Sequence, residues 1–278
     1  MKKIALIRGD SLNEWEGGLW NKLGGSAEVT GFCSNKNLYS LNGLHFPVKK
    51  LSSSADSFFT RQYDKFFNAR FQTMIGLEEE LKNFDIAHTA EISYFFTNQA
   101  VRAKKNNPKL KVVATIWDNS FGRYEYNYWP GLGVPPAWWR RKIKEIIKEN
   151  ISGVDLFLPI TDYSAKILLD YGVDESKIKI LTPAVVMPEK KVEIEILLDK
   201  YQLNGRKFYM AVNRLVKEKG VYDILYAWKM YLRQHPQNNS VLLMIGKGQE
   251  QKNISRLIKE WNMEKSIFLI DGLPNEQI

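Results

Sequence analysis

The chain has 278 residues, 44% hydrophobic and 26% charged, which is ordinary globular composition and long enough for one or two domains with a sizeable core. Forty Lys and Arg against thirty-one Asp and Glu leave a net charge of +9, a balance that suits an anionic partner: a nucleotide, an anionic lipid surface or a nucleic acid. The single cysteine, Cys33, excludes an internal disulfide framework, and no Cys or His cluster has metal-ligand spacing.

Lys2 to Ile7 reads as a short strand. Its apolar part is too short for a signal-peptide core, and no run approaches the ~18 apolar residues of a membrane span, so a cytosolic protein is expected. Arg8-Gly9-Asp10-Ser11 opens a polar loop that closes on Glu16-Gly17-Gly18. Two readings of it stand: glycines that let the backbone approach a ligand, or a plain strand-to-helix turn. Glu28 to Cys33 and Leu44 to Val48 look like further strands, and Phe58 to Leu81 predicts one long core-facing helix, with Phe59, Tyr63, Phe66 and Phe67 at helical intervals. Asp85 to His88 reads as a strand whose histidine is a satisfied structural residue rather than a substrate contact. After a helix from Tyr94 to Lys105, the strand Leu110 to Ile116 delivers Trp117-Asp118-Asn119 to its carboxyl end, where open α/β sheets bind ligands.

Between Phe121 and Trp139 aromatic residues, among them Trp129, Trp138 and Trp139, lie among glycines and prolines. Aromatic faces stack on sugar rings and also settle at membrane interfaces. Arg140, Arg141, Lys142, Lys144 and Lys148 then share a helix with the apolar stripe Ile143, Ile146, Ile147 and Ile151. The preferred reading buries that stripe in the core; the alternative docks it, with the tryptophans, on anionic lipid. Asp155 to Ile160 is another strand, Thr161 caps a helix to Tyr171, and Ile178 to Leu181 is the strand after it. A domain boundary is placed near Val186 to Lys191, where Pro188 and a charged run interrupt the pattern.

Beyond it, the apolar run Phe208 to Val212, an amphipathic helix from about Val221 to Arg233 and the run Val241 to Ile245 make one βαβ unit. The turn Asn213 to Gly220 holds three cations at the end of the first strand. Arg214 offers a planar fork, Lys219 a mobile point charge, and the helix start free N–H groups and a favourable dipole end, a combination suited to a diphosphate. No G-x-G-x-x-G follows the first strand of either half, no basic patch belongs to a recognisable nucleic-acid module, and no D-x-D pair occurs, so a dinucleotide oxidoreductase, a nucleic-acid partner and a carboxylate-held metal are not expected.

Asn213-Arg214-Leu215 with Lys219-Gly220, then Ile245-Gly246-Lys247-Gly248, then Ile267 to Pro274 with Gly272, resemble the G-R-L-x-x-x-K-G, G-x-G and F-x-G-x-v series of the retaining, GT-B glycosyltransferases of family 4. The resemblance implies an α/β protein with two Rossmann-like domains facing across a cleft: residues 1–186 on the acceptor side and 187–278 as the first half of a nucleotide-sugar-binding domain. It implies metal-independent hexosyl transfer, with retention, from a UDP- or GDP-sugar to a glycan or lipid-linked acceptor, without a cofactor, in polysaccharide synthesis at the inner face of the cell membrane. Arg214, Lys219 and Asp118 would be catalytic, and Gly17, Gly18, Gly246, Gly248 and Leu273 would join Arg214 and Lys219 in donor binding. Trp129, Trp138, Trp139, Arg140 and Arg141 would face the acceptor or a membrane. Many relatives place a sugar-contacting histidine where Trp117 stands, and Asp118 is the substitute expected for it. The closing E-x-x-x-x-x-x-x-E motif has no counterpart, so a truncated chain is expected, with the apolar edge Phe208 to Val212 needing cover. A non-catalytic subunit that binds a partner or a membrane surface is the alternative.

Overall fold

The computed structural model describes residues 1–58, 72–117, 137–184, 194–201 and 203–273, which fall into two compact units, Met1–Val186 and Met187–Ile278. The first is a six-stranded parallel sheet: β1 (Lys2–Gly9), β2 (Ala27–Ser34), β3 (Val48–Leu51), β4 (Ile86–Ala90), β5 (Lys111–Ile116) and β6 (Leu156–Pro159), in the order β3-β2-β1-β4-β5-β6. This is the doubly wound order, with β1 central and the direction of winding reversing beside it. The near-continuous apolar character of β1 follows from that place: Ala5, Leu6 and Ile7 are wholly buried, because both faces of a parallel sheet are covered.

Helix α1 (Glu14–Gly17) is capped by the Asn13 side chain, which accepts from the Glu16 N–H; α2 (Leu77–Glu80), α3 (Phe95–Ala103), α4 (Ala137–Gly153) and α5 (Asp162–Asp170) follow. The stripe on α4 faces inward: Ile143, Ile146 and Ile147 are 4%, 2% and 4% exposed, and Ile143 and Ile147 join the core that also holds Phe96, Ala100 and Val112. This removes the reading in which the stripe docks on lipid, since a side chain packed against α3 and the sheet is not available to a bilayer. Asn150, wholly buried, locks α4 in place by donating to the Ile92 carbonyl and accepting from Asn98. Cys33 is buried in this unit, and desolvation pushes its thiol up to about 11, so it stays a neutral packing group.

Several boundaries differ from the sequence reading. The strand expected at Leu44 to Val48 lies later, at Val48–Leu51, because Leu44 and Phe46 turn inward to pack on the cluster of Leu12 and Val29. The long helix expected to Leu81 does not run through: Met74 pairs with Ser53 in a bridge, and Gly76 adopts φ +82°, a left-handed conformation that starts the short α2 afresh. Residues 59–71 of that expected helix are outside the described part. His88 is inside β4 rather than at its end. Ile178 to Leu181 makes a single bridge, Phe157 with Ile178, extended by bonds from Lys179 and Leu181 to β6, and is not a strand.

The second unit is a three-stranded parallel sheet of β7 (Phe208–Val212), β8 (Val241–Ile245) and β9 (Ile267–Ile270), in that order. Its helices are α6 (Ile194–Lys200), α7 (Val221–Gln234) and α8 (Gln251–Glu260). Val221, Leu225 and Trp228 on α7 meet Ile254 and Ile258 of α8 over β8, all of whose residues are buried. β7 is as apolar as β8 yet lies at the sheet edge, where Phe208, Met210 and Val212 are 36%, 51% and 46% exposed. Among the described residues, no helix is long and apolar enough to cross a membrane.

Candidate functional site

In the second unit the turn after β7 is clamped from beneath by the loop after β8. Asn213 donates to the Ile245 carbonyl at 3.1 Å, Leu215 to Lys247 at 3.0 Å, and Glu250 back to Leu215 at 3.0 Å. Gly246, at φ +145°, and Gly248 make this approach possible: a Cβ on Gly246 would lie 2.0 Å from the Asn213 carbonyl oxygen, and one on Gly248 would lie 2.2 Å from that of Leu215. The proximity of the two backbones therefore accounts for both glycines. Gly248→Ala should accordingly destabilise this unit by about 1–3 kcal/mol through overpacking, read as a lower denaturation midpoint. An unchanged midpoint would show that the turn can give way.

With Leu215 buried as the anchor, the turn carries Arg214 and Lys219 on its exposed side. Among the described residues neither has an ion pair or a side-chain hydrogen bond. Gly220, at φ +64°, ends the turn as the N-cap of α7, and no side chain caps that helix. Free backbone N–H groups, a positive dipole end and two unpaired cations thus occur within one short segment, which is the chemistry of a phosphate site. Leu273, by contrast, packs against the cluster of Leu203, Val241 and Ile270.

In the first unit a cavity of about 260 Å³ opens at the carboxyl ends of β1, β4, β5 and β6. Leu19, Trp20, Trp117, Ile160, Leu181 and Pro183 wall it, over a polar floor of Arg8, Glu16, His88 and Thr115, which are 4%, 8%, 6% and 9% exposed. Arg8 is bound through all three guanidinium nitrogens. Nε donates to Glu16 Oε1 at 2.6 Å, Nη1 to the carbonyls of Ile7 and His88, and Nη2 to His88 Nδ1 at 3.0 Å. A guanidinium only donates, so His88 Nδ1 must be bare and Nε2 must carry the proton given to Thr115 Oγ1 at 3.1 Å. Desolvation first, and the Arg8 charge second, hold this imidazole neutral, well below its ordinary pKa. Stability should therefore fall as pH drops below about 6.5, where the unfolded histidine takes up a proton that the native one refuses. The slope from this one group approaches ~1.4 kcal/mol per pH unit. Thermal melts of the wild type and His88→Gln between about pH 7 and 5 check this, and equal slopes would refute it.

Arg8, Glu16, Trp20 and Thr115 escaped the sequence reading, because a buried arginine inside a strand looks like the start of a polar loop. That loop is in fact α1 followed by a 3-10 turn, Gly18–Leu23, with Gly17 and Gly18 in right-handed helical conformations. Gly17 fits closely under Leu44, where a Cβ would lie 2.5 Å from Leu44 Cδ2, while Gly18 faces open space. Trp138 is exposed at the start of α4, Arg141 is exposed and Arg140 half-buried; these line neither the cavity floor nor its walls. Asp118 and Trp129 lie outside the described residues, as does the side chain of Trp139.

Comparison with known proteins agrees with this architecture. Residues 193–278 match the family described as Glycosyl transferases group 1. No curated protein sequence is similar to the chain. Solved structures that resemble it include Anabaena Alr3699/HepE in complex with UDP, at 14% identity and a TM-score of 0.66, covering 99% of this chain and 70% of that one. The lipopolysaccharide outer core galactosyltransferase WaaB, in its apo form, resembles it at 16% identity and a TM-score of 0.55, covering 98% and 68%. The UDP-GlcNAc 2-epimerase from Methanocaldococcus jannaschii does so at 13% identity and a TM-score of 0.55, covering 98% and 74%. Since these structures include a transferase and an epimerase alike, what the chain shares with them is the fold: it is an α/β protein of the GT-B class, built from Rossmann-like units with parallel sheets.

Proposed function

We propose that the protein is a glycosyltransferase that moves a hexosyl group, with retention, from a nucleoside-diphosphate sugar to a glycan or lipid-linked acceptor. The observation that carries this reading is the turn Asn213 to Gly220, where Arg214 and Lys219 stand unpaired before the uncapped start of α7 within the segment matching the group 1 family. Departure of the diphosphate concentrates negative charge at its oxygens. Preorganised cations and helix N–H groups there stabilise the transition state more than the ground state. In this reading the two cations take the place of a divalent metal, and Asp118 accepts hydroxyls of the transferred sugar. The UDP named with Anabaena Alr3699/HepE makes a uridine diphosphate the first donor base to try.

The protein would work in the cytoplasm. The exposed Arg141, Lys142, Lys144 and Lys148 on α4 give it a basic face toward anionic lipid, a contact that salt would weaken. Thermal shifts with UDP, GDP and ADP test the donor assignment, because a bound nucleotide stabilises by RT ln(1 + [L]/Kd). A shift with one of them that disappears in Arg214→Ala supports the reading; no shift with any of the three removes it.

A further inference from the structure

We propose that the cavity at the carboxyl ends of the first unit's strands is a subsite for an uncharged pyranose ring, held between tryptophan walls and the free oxygen of Glu16. As an assignment of the acceptor this rests on the transfer reaction proposed above; as a binding site it stands on the first unit alone. The volume, about 260 Å³, suits one ring rather than a chain of them. Trp20 and Trp117 line it, and each is fixed by a ring contact: Trp20 with His88 at 4.7 Å, Trp117 edge-on with Trp15 at 6.0 Å. Rigid indoles offer a large apolar surface to the C–H face of a sugar at small entropic cost.

The floor decides the charge of the guest. Arg8 would attract an anion if its charge were free, but that charge is opposed by Glu16 at 2.6 Å and its nitrogens are committed to Glu16, two carbonyls and His88. His88 is neutral, because its Nδ1 accepts from Arg8 and its Nε2 is bonded to Thr115. Glu16 uses Oε1 for Arg8, and its Oε2 has no partner among the described residues. The groups left to meet a guest are thus a carboxylate oxygen and, at the rim, the Thr182 hydroxyl, inside a mostly apolar wall. The carboxylate oxygen accepts a hydroxyl through a charge-assisted bond, and with the Arg8 nitrogens committed no free cation stands there to hold a carboxylate or a phosphate.

The test titrates the whole chain with methyl glucopyranoside, methyl galactopyranoside, glucuronate, glucose 6-phosphate and cyclohexanol, read by saturation-transfer NMR and tryptophan fluorescence. At least one neutral glycoside should give a saturable response, with both acids weaker by about tenfold or more, on the scale of one hydrogen bond to a charged group. Glu16→Gln should weaken the neutral sugar by a similar factor. Because that change also disturbs Arg8, Leu181→Trp provides a second variant: Leu181 is 52% exposed at the cavity wall, and a larger side chain there should block entry while circular dichroism shows the fold unchanged. Acids binding as well as glycosides, cyclohexanol displacing them with equal strength, no saturable response to any neutral sugar, or unaltered binding in Leu181→Trp would each overturn the proposal. Repeating the titration in Lys219→Ala separates it from the donor reading, since sugar binding should survive there even if nucleotide binding is lost.

Discussion

Lys219→Ala should lower turnover in the transfer reaction by about 100-fold or more, the scale of removing one preorganised donor from a site where charge develops. The melting temperature should not change, because Lys219 is exposed and, among the described residues, has no ion pair to lose. Lys219→Arg keeps the charge on a longer, planar head and should recover part of the rate. Arg214→Ala should behave like Lys219→Ala in turnover and also weaken nucleoside-diphosphate binding, since a guanidinium can take two phosphate oxygens at once. The measurement is steady-state transfer with the donor identified by thermal shift. Near-wild-type turnover in Lys219→Ala would take Lys219 out of the mechanism and leave Arg214 and the helix start of α7 as the anion site.

Arg8→Met should cost about 3–5 kcal/mol, the range for removing one partner of a buried ion pair. At this chain length that is a fall of roughly 10 °C in melting temperature. The side chains of Arg8 and Glu16 are 4% and 11% exposed, so water cannot replace the lost guanidinium around the remaining carboxylate. His88 Nδ1 and the carbonyls of Ile7 and His88 would lose their donor in the same step. The double variant Arg8→Met with Glu16→Leu should be more stable than Arg8→Met alone, because it removes the orphaned charge together with its partner. If Arg8→Met melts like the wild type, the floor of the cavity is open to solvent and the neutral-guest argument loses its basis.

The period of the hydrophobic pattern was sufficient for much of this protein. Val241 to Ile245 reads as a buried strand because a parallel strand covered on both faces needs no polar alternation, and the α4 stripe at Ile143, Ile146 and Ile147 marks an inward face by its 3 and 4 spacing. The basic turn after β7 was equally legible, since Arg214, Lys219 and Gly220 are local to one βα junction and their chemistry needs no distant partner. Tertiary structure alone decided what depends on pairing across the sheet. Arg8 and His88 are 80 residues apart, and nothing in their own neighbourhoods says that one will donate to the other. That Gly246 and Gly248 must also make room for the carbonyls of Asn213 and Leu215 is visible only once the two loops are seen together. Local spacing determines which face of an element is apolar; it cannot say which strand ends converge, and the cavity exists only because β1, β4, β5 and β6 bring theirs together.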